Sequence, residues 1–114
     1  MPLLKAECNI KLSQDAKNDY IKQASNLTSD LLGKSESYVM CSIEDDKSMC
    51  FAASLEPAAY IEFKSIGLPE DKTEDLARAM CELTKRQLGI PVDRIYIEFS
   101  NAQRHMWGWN NRTF

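Results

Sequence analysis

The residue with most chemical potential in this chain is Pro2, because it directly follows Met1. While Met1 is attached, the proline nitrogen is an imide with no useful basicity. Once Met1 is removed, it is a free secondary amine. An ordinary α-amino group titrates near ~8. Pro2 shares parity with Leu4 and so starts at the margin of an apolar layer. Desolvation there disfavours the ammonium form, and a nearby lysine disfavours it further. Both influences move the amine toward neutrality at physiological pH, where it can act as a general base. A proline at this place is also an ordinary strand-start residue, so the dipeptide alone leaves both readings open.

Other chemistries find little support. Cys8, Cys41, Cys50 and Cys81 form no CxxC pair, and His105 is the only histidine. A zinc site is therefore not expected, and the cysteines read as reduced packing residues. Nucleophile-elbow, P-loop, dinucleotide-binding and HExxH patterns are missing, and one histidine gives a Ser-His-Asp arrangement no local support. No cofactor is expected. The chain carries 14 basic and 17 acidic residues, a net charge of −3, with no basic run to meet a phosphate backbone. No segment approaches the ~20 apolar residues of a membrane helix. The N-terminus lacks the basic and apolar regions of a secretory signal, so the expected compartment is the cytosol.

A base at Pro2 must be held by the elements around it. At 114 residues, 44% of them apolar, the chain is expected to form one domain with a single core. Leu4, Ala6, Cys8 and Ile10 alternate with Lys5, Glu7, Asn9 and Lys11, which predicts a half-buried strand. Ala16, Tyr20, Ala24, Leu27 and Leu31 follow at helical spacing, with Ser13 as N-cap and Gly33 as the left-handed stop. Tyr38 to Ile43 reads as a strand, Glu44 to Lys47 as a turn and Met49 to Ala53 as a short extra strand. The pattern then repeats. A strand at Ile61–Phe63 is broken by Gly67 and Pro69, a helix carries Leu76, Met80 and Leu83, Gly89-Ile90-Pro91 stops it, and a strand holds Ile95, Ile97 and Phe99. Two βαβ units predict an α/β two-layer sandwich: a four-stranded sheet with both helices on one face. Lys5, Glu7, Glu62 and Lys64 fall on the other face, which must meet water or another subunit.

Several short pieces occur together and in order: Pro2; Gly33-Lys34 followed by Ser37-Tyr38; Ser54-Leu55-Glu56-Pro57; Ser65-Ile66-Gly67; Asp93-Arg94-Ile95-Tyr96-Ile97; and the ending Trp107-Gly108-Trp109-Asn110-Asn111-Arg112-Thr113-Phe114. As a set they resemble the macrophage migration inhibitory factor family of the tautomerase superfamily, over essentially the whole chain. The resemblance implies a homotrimer with sheets around a central channel. It implies keto–enol tautomerase activity on phenylpyruvate-like and dopachrome-like compounds, and for some members a secreted, cytokine-like action on a cell-surface receptor. By position it makes Pro2 the catalytic base, Lys34 the partner of the substrate carboxylate, and the Ile66 backbone N–H a substrate contact. Tyr96 would reach in from the neighbouring subunit, and Tyr38, Trp107, Trp109 and Phe114 would wall the pocket. The alternative is a protein-binding, cytokine-like ligand with vestigial catalysis.

Three departures stand out. Glu98 occupies a position where better-known members carry asparagine, which predicts an altered substrate preference. Ala58-Ala59-Tyr60-Ile61 follows Glu56-Pro57 where some members have a CxxC, so no thiol oxidoreductase role is expected. Ala52-Ala53 stands where a glycine pair is familiar. Lys34, Tyr96 and the aromatic residues also have plain structural readings, as a helix-end cation, an outward strand residue and packing groups.

Overall fold

A computed structural model describes residues 1–114. The elements run β1 (Leu3–Cys8), α1 (Gln14–Leu32), β2 (Met40–Glu44), β3 (Ala59–Ile66), α2 (Thr73–Leu88), β4 (Ile95–Ala102), β5 (Gly108–Trp109) and β6 (Arg112–Thr113). The sheet order is β2-β1-β3-β4. β1 pairs parallel with β2, and β3 pairs parallel with β4, so each half is a βαβ unit. The halves join where β1 and β3 run antiparallel, with Leu3 opposite Lys64 and Cys8 opposite Ala59.

Local chemistry starts and ends the helices. Ser13 Oγ accepts from the Ala16 N–H at 3.1 Å, which satisfies one of the free amides at the head of α1. Gly33 closes that helix at φ 63°, in the left-handed region. Tyr20, Ala24 and Thr28 are the buried stripe of α1, and Leu76, Met80, Leu83, Thr84 and Leu88 that of α2. These stripes lie against Leu4, Ala6, Cys8, Ala59, Ile61, Phe63 and Ile95 of the sheet. Tyr20 and Thr84 share a buried hydrogen bond of 2.9 Å, and the Thr84 hydroxyl also lies 2.8 Å from the Met80 carbonyl. Burial pushes the Tyr20 phenol up to about 12, so it stays protonated in this core.

The opposite sheet face is polar and has no helix over it. In register across it stand Ser42, Lys5, Glu62 and Glu98. Lys64 pairs with Glu62 at 3.5 Å, whereas Glu98 has no cation within 4 Å.

The expected strand at Met49–Ala53 does not form. Phe51 and Ser54 instead make a two-bond bridge around Ala52 and Ala53, which sit at φ 53° and 59°. The run is apolar enough to read as a strand, but it has no neighbouring strand to pair with. Its anchor is Arg94, whose guanidinium donates to the carbonyls of Phe51, Ser54, Glu56 and Pro57 at 2.9 to 3.2 Å. The expected strand at Tyr38 begins only at Met40, because Glu36–Tyr38 form a short 3₁₀ turn capped by Ser35. The chain ends in a hairpin, β5–β6, whose two-residue loop is Asn110-Asn111 at φ 53° and 64°. Asparagine tolerates that left-handed geometry.

Candidate active site

Pro2 is fully buried at the head of β1, and its carbonyl accepts from the Met40 N–H at 3.0 Å, at the start of β2. The strand register therefore fixes the position of its nitrogen. Two clefts meet beside it, at Met1 and Tyr38, and Pro2 lines the first of them. The first, of 260 Å³, is lined by Met1, Pro2 and Leu3 together with Tyr38, Val39, Met40, Trp107, Trp109 and Phe114. The terminal hairpin builds its wall. Trp109 and Phe114 stack with centroids 5.7 Å apart, and Tyr38 meets both edge-on at 5.6 and 6.3 Å. Arg112 covers the Trp109 ring at 5.6 Å. Such a wall suits a flat apolar group.

The second cleft, of 420 Å³, shares Met1 and Tyr38 with the first and adds Lys34, Ile66, Gly67 and Arg104. Lys34 does not serve as a helix-end cation. It follows the Gly33 turn, and its ammonium crosses to the end of β3, where it donates to Ser65 Oγ at 3.1 Å and to the Ile66 carbonyl at 2.5 Å. An ammonium has three hydrogens, so one remains for the cleft. Ile66 is thus brought to the site, and its carbonyl orients Lys34. No carboxylate lies within 4 Å of the Lys34 nitrogen. Burial, and secondarily the Arg104 charge, hold Lys34 below its usual lysine value. The terminal amine, carried here by Met1, is lowered first by burial and then by the Lys34 charge.

Tyr96 and Glu98 are not brought to these clefts within one chain. Both lie on the open face of β4, and Tyr96 packs edge-on against Phe51 at 4.6 Å. His105 is exposed in the 3₁₀ turn Arg104–Met106. Arg104 went unrecognised in the sequence because it lies in a non-periodic loop, 70 positions from Lys34. Only the unpaired basic character of Arg104-His105 beside the aromatic ending could have marked it.

The macrophage migration inhibitory factor (MIF) family model matches residues 1–114. The chain belongs to the macrophage migration inhibitory factor family. A macrophage migration inhibitory factor homolog of Trichinella spiralis is 34% identical over 115 aligned positions, covering all of both chains. Among solved structures, the homologue from Prochlorococcus marinus superposes with a TM-score of 0.93 at 38% identity, over 98% of each chain. The factor from Toxoplasma gondii gives 0.92 at 31% identity, over 98% of this chain and 99% of that one. Two helices on a mixed four-stranded sheet are thus the tautomerase-superfamily fold of MIF-family proteins.

Proposed function

We propose that this MIF-family chain is a keto–enol tautomerase of phenylpyruvate-like and dopachrome-like compounds, with the amine of Pro2, freed by loss of Met1, as general base. The observation that carries this reading is the burial of Pro2 in the wall of an aromatic cleft that shares Met1 and Tyr38 with a cleft holding an uncompensated lysine. The aromatic wall takes the ring and Lys34 takes the carboxylate, so the carbon next to the carbonyl faces the proline nitrogen. That nitrogen removes the proton, the C–H electron pair becomes the C=C bond of the enol, and the carbonyl oxygen takes up a proton. The prolinium then returns its proton to the medium or, in the reverse direction, to carbon. Holding the substrate in this orientation supplies much of the rate, and a base near neutrality supplies the rest.

The homotrimer belongs to the same reading. It is supported by an open sheet face with no helix over it, by the outer edges of β2 and β4, and by the exposed Met40, Tyr96 and Met106. In a trimer, Tyr96 and Glu98 of one subunit would complete the pocket of the next. Sedimentation giving the mass of one chain, 13.0 kDa, would exclude that arrangement.

The deciding experiment compares the parent with Pro2→Gly in the enolisation of hydroxyphenylpyruvate, after intact mass has confirmed loss of Met1. General-base catalysis is worth roughly 10²–10⁴-fold, so kcat/KM should fall by at least about 100-fold. An equal rate in the two proteins removes the proposal.

A further inference from the structure

We infer that Arg104 is a second anion-binding residue beside Lys34, which suits the acid end of the site to keto acids carrying two neighbouring acid groups. The inference rests on the tautomerase reading of the same site and adds a substrate class to it.

Arg104 stands just beyond β4, on backbone fixed by the hydrogen bonds Met106 N–H to Gln103 O at 3.0 Å and Trp107 N–H to Arg104 O at 3.3 Å. Its side chain lines the 420 Å³ cleft with Lys34. No carboxylate side chain lines that cleft. The other arginines with structural work show what a committed guanidinium does here. Arg94 spends its donors on four carbonyls, and Arg78 pairs with Glu74 and Asp75. Arg104 has no ion pair and no side-chain hydrogen bond.

Two cations in one cleft repel each other, and no side chain there offsets them. An entering anion relieves that repulsion. Lys34 has one hydrogen left for a carboxylate oxygen, while the planar fork of Arg104 fits a carboxylate with two parallel bonds. A monoacid can satisfy only one of them well. A keto diacid of the oxaloacetate kind carries one carboxylate for each cation, and malonate is a shorter diacid that carries such a pair without the ketone.

The test uses the processed full chain and Arg104→Gln, at constant ionic strength. In a binding arm, NMR titration compares malonate with acetate. Charge-assisted hydrogen bonds of this kind are worth about tenfold or more, so the parent should favour malonate by about tenfold and the variant by under about threefold. In a kinetic arm, the variant should raise KM for oxaloacetate enolisation about tenfold, leave kcat within about twofold, and change KM for phenylpyruvate by less than about threefold. Equal malonate affinity in the two proteins, or equal losses on both substrates, overturns the inference. The malonate arm needs no catalysis. If neither substrate is enolised, the tautomerase reading fails while malonate still decides the role of Arg104.

Discussion

Replacing Ala52 and Ala53 together by glycine should stabilise the protein, although it adds no contact. Both alanines hold left-handed backbone, at φ 53° and 59°, which costs an L-residue roughly 1–2 kcal/mol. The pair therefore stores roughly 2–4 kcal/mol. Glycine removes that strain but frees the unfolded chain, which gives back roughly 0.4–1 kcal/mol per residue. Both methyl groups are exposed, so little apolar burial is lost. The net gain spans roughly 0–3 kcal/mol for the pair and centres on about 1.5 kcal/mol. With a urea slope of about 2 kcal/mol/M, the midpoint should rise by roughly 0.5–1 M. Chain concentration must be held fixed, because assembly also contributes to stability. The slope should not change. A midpoint that stays put or falls at unchanged slope would refute the argument and imply that Arg94 and Phe51 select another turn geometry in solution.

Two further outcomes concern the site. In the proposed mechanism Pro2 works only as a neutral amine. Burial and then the Lys34 charge lower the Met1 amine, and the same two influences act on a freed Pro2 amine, so activity should be full above its lowered pKa and lost as pH falls through it. Lys34→Met removes one of these influences, so the acid limb of kcat/KM should move to higher pH while KM for phenylpyruvate rises about tenfold; an unmoved limb would break the electrostatic link. Glu98→Asn should lower KM for phenylpyruvate-type acids and, by removing a like charge in register with Glu62, raise stability by roughly 0.2–1 kcal/mol. An unchanged KM would separate Glu98 from substrate choice.

The strands and helices were legible where one period ran without interruption. Leu4, Ala6 and Cys8 do alternate into the core, and Tyr20, Ala24, Leu76, Met80 and Leu83 do form the helix stripes. Ser13 and Gly33 marked the ends of α1 by capping chemistry alone. Met49 to Ala53 misled because apolar content says nothing about whether a partner strand is available. The β5–β6 hairpin has a local signal in Asn110-Asn111, since asparagine tolerates the left-handed backbone of a two-residue loop. At the site, the meeting of Lys34 with Ser65 and Ile66 depends on the antiparallel register of β1 with β3, and no local pattern encodes that. Arg104 is the same case, since its neighbours come from chain positions far from its own.

The antiparallel seam between β1 and β3 joins two βαβ halves, and each half has a proline shortly ahead of its first strand. Pro2 gives its carbonyl to Met40 at the start of β2, and Pro57 gives its carbonyl to Arg94 just before β4. Chain continuity separates their fates. Pro57 is acylated by Glu56 and stays inert, while Pro2 lies one peptide bond from release. Of the two prolines, only Pro2 can become an amine by a single cut, and the proposed chemistry exists only in chains where that cut has been made.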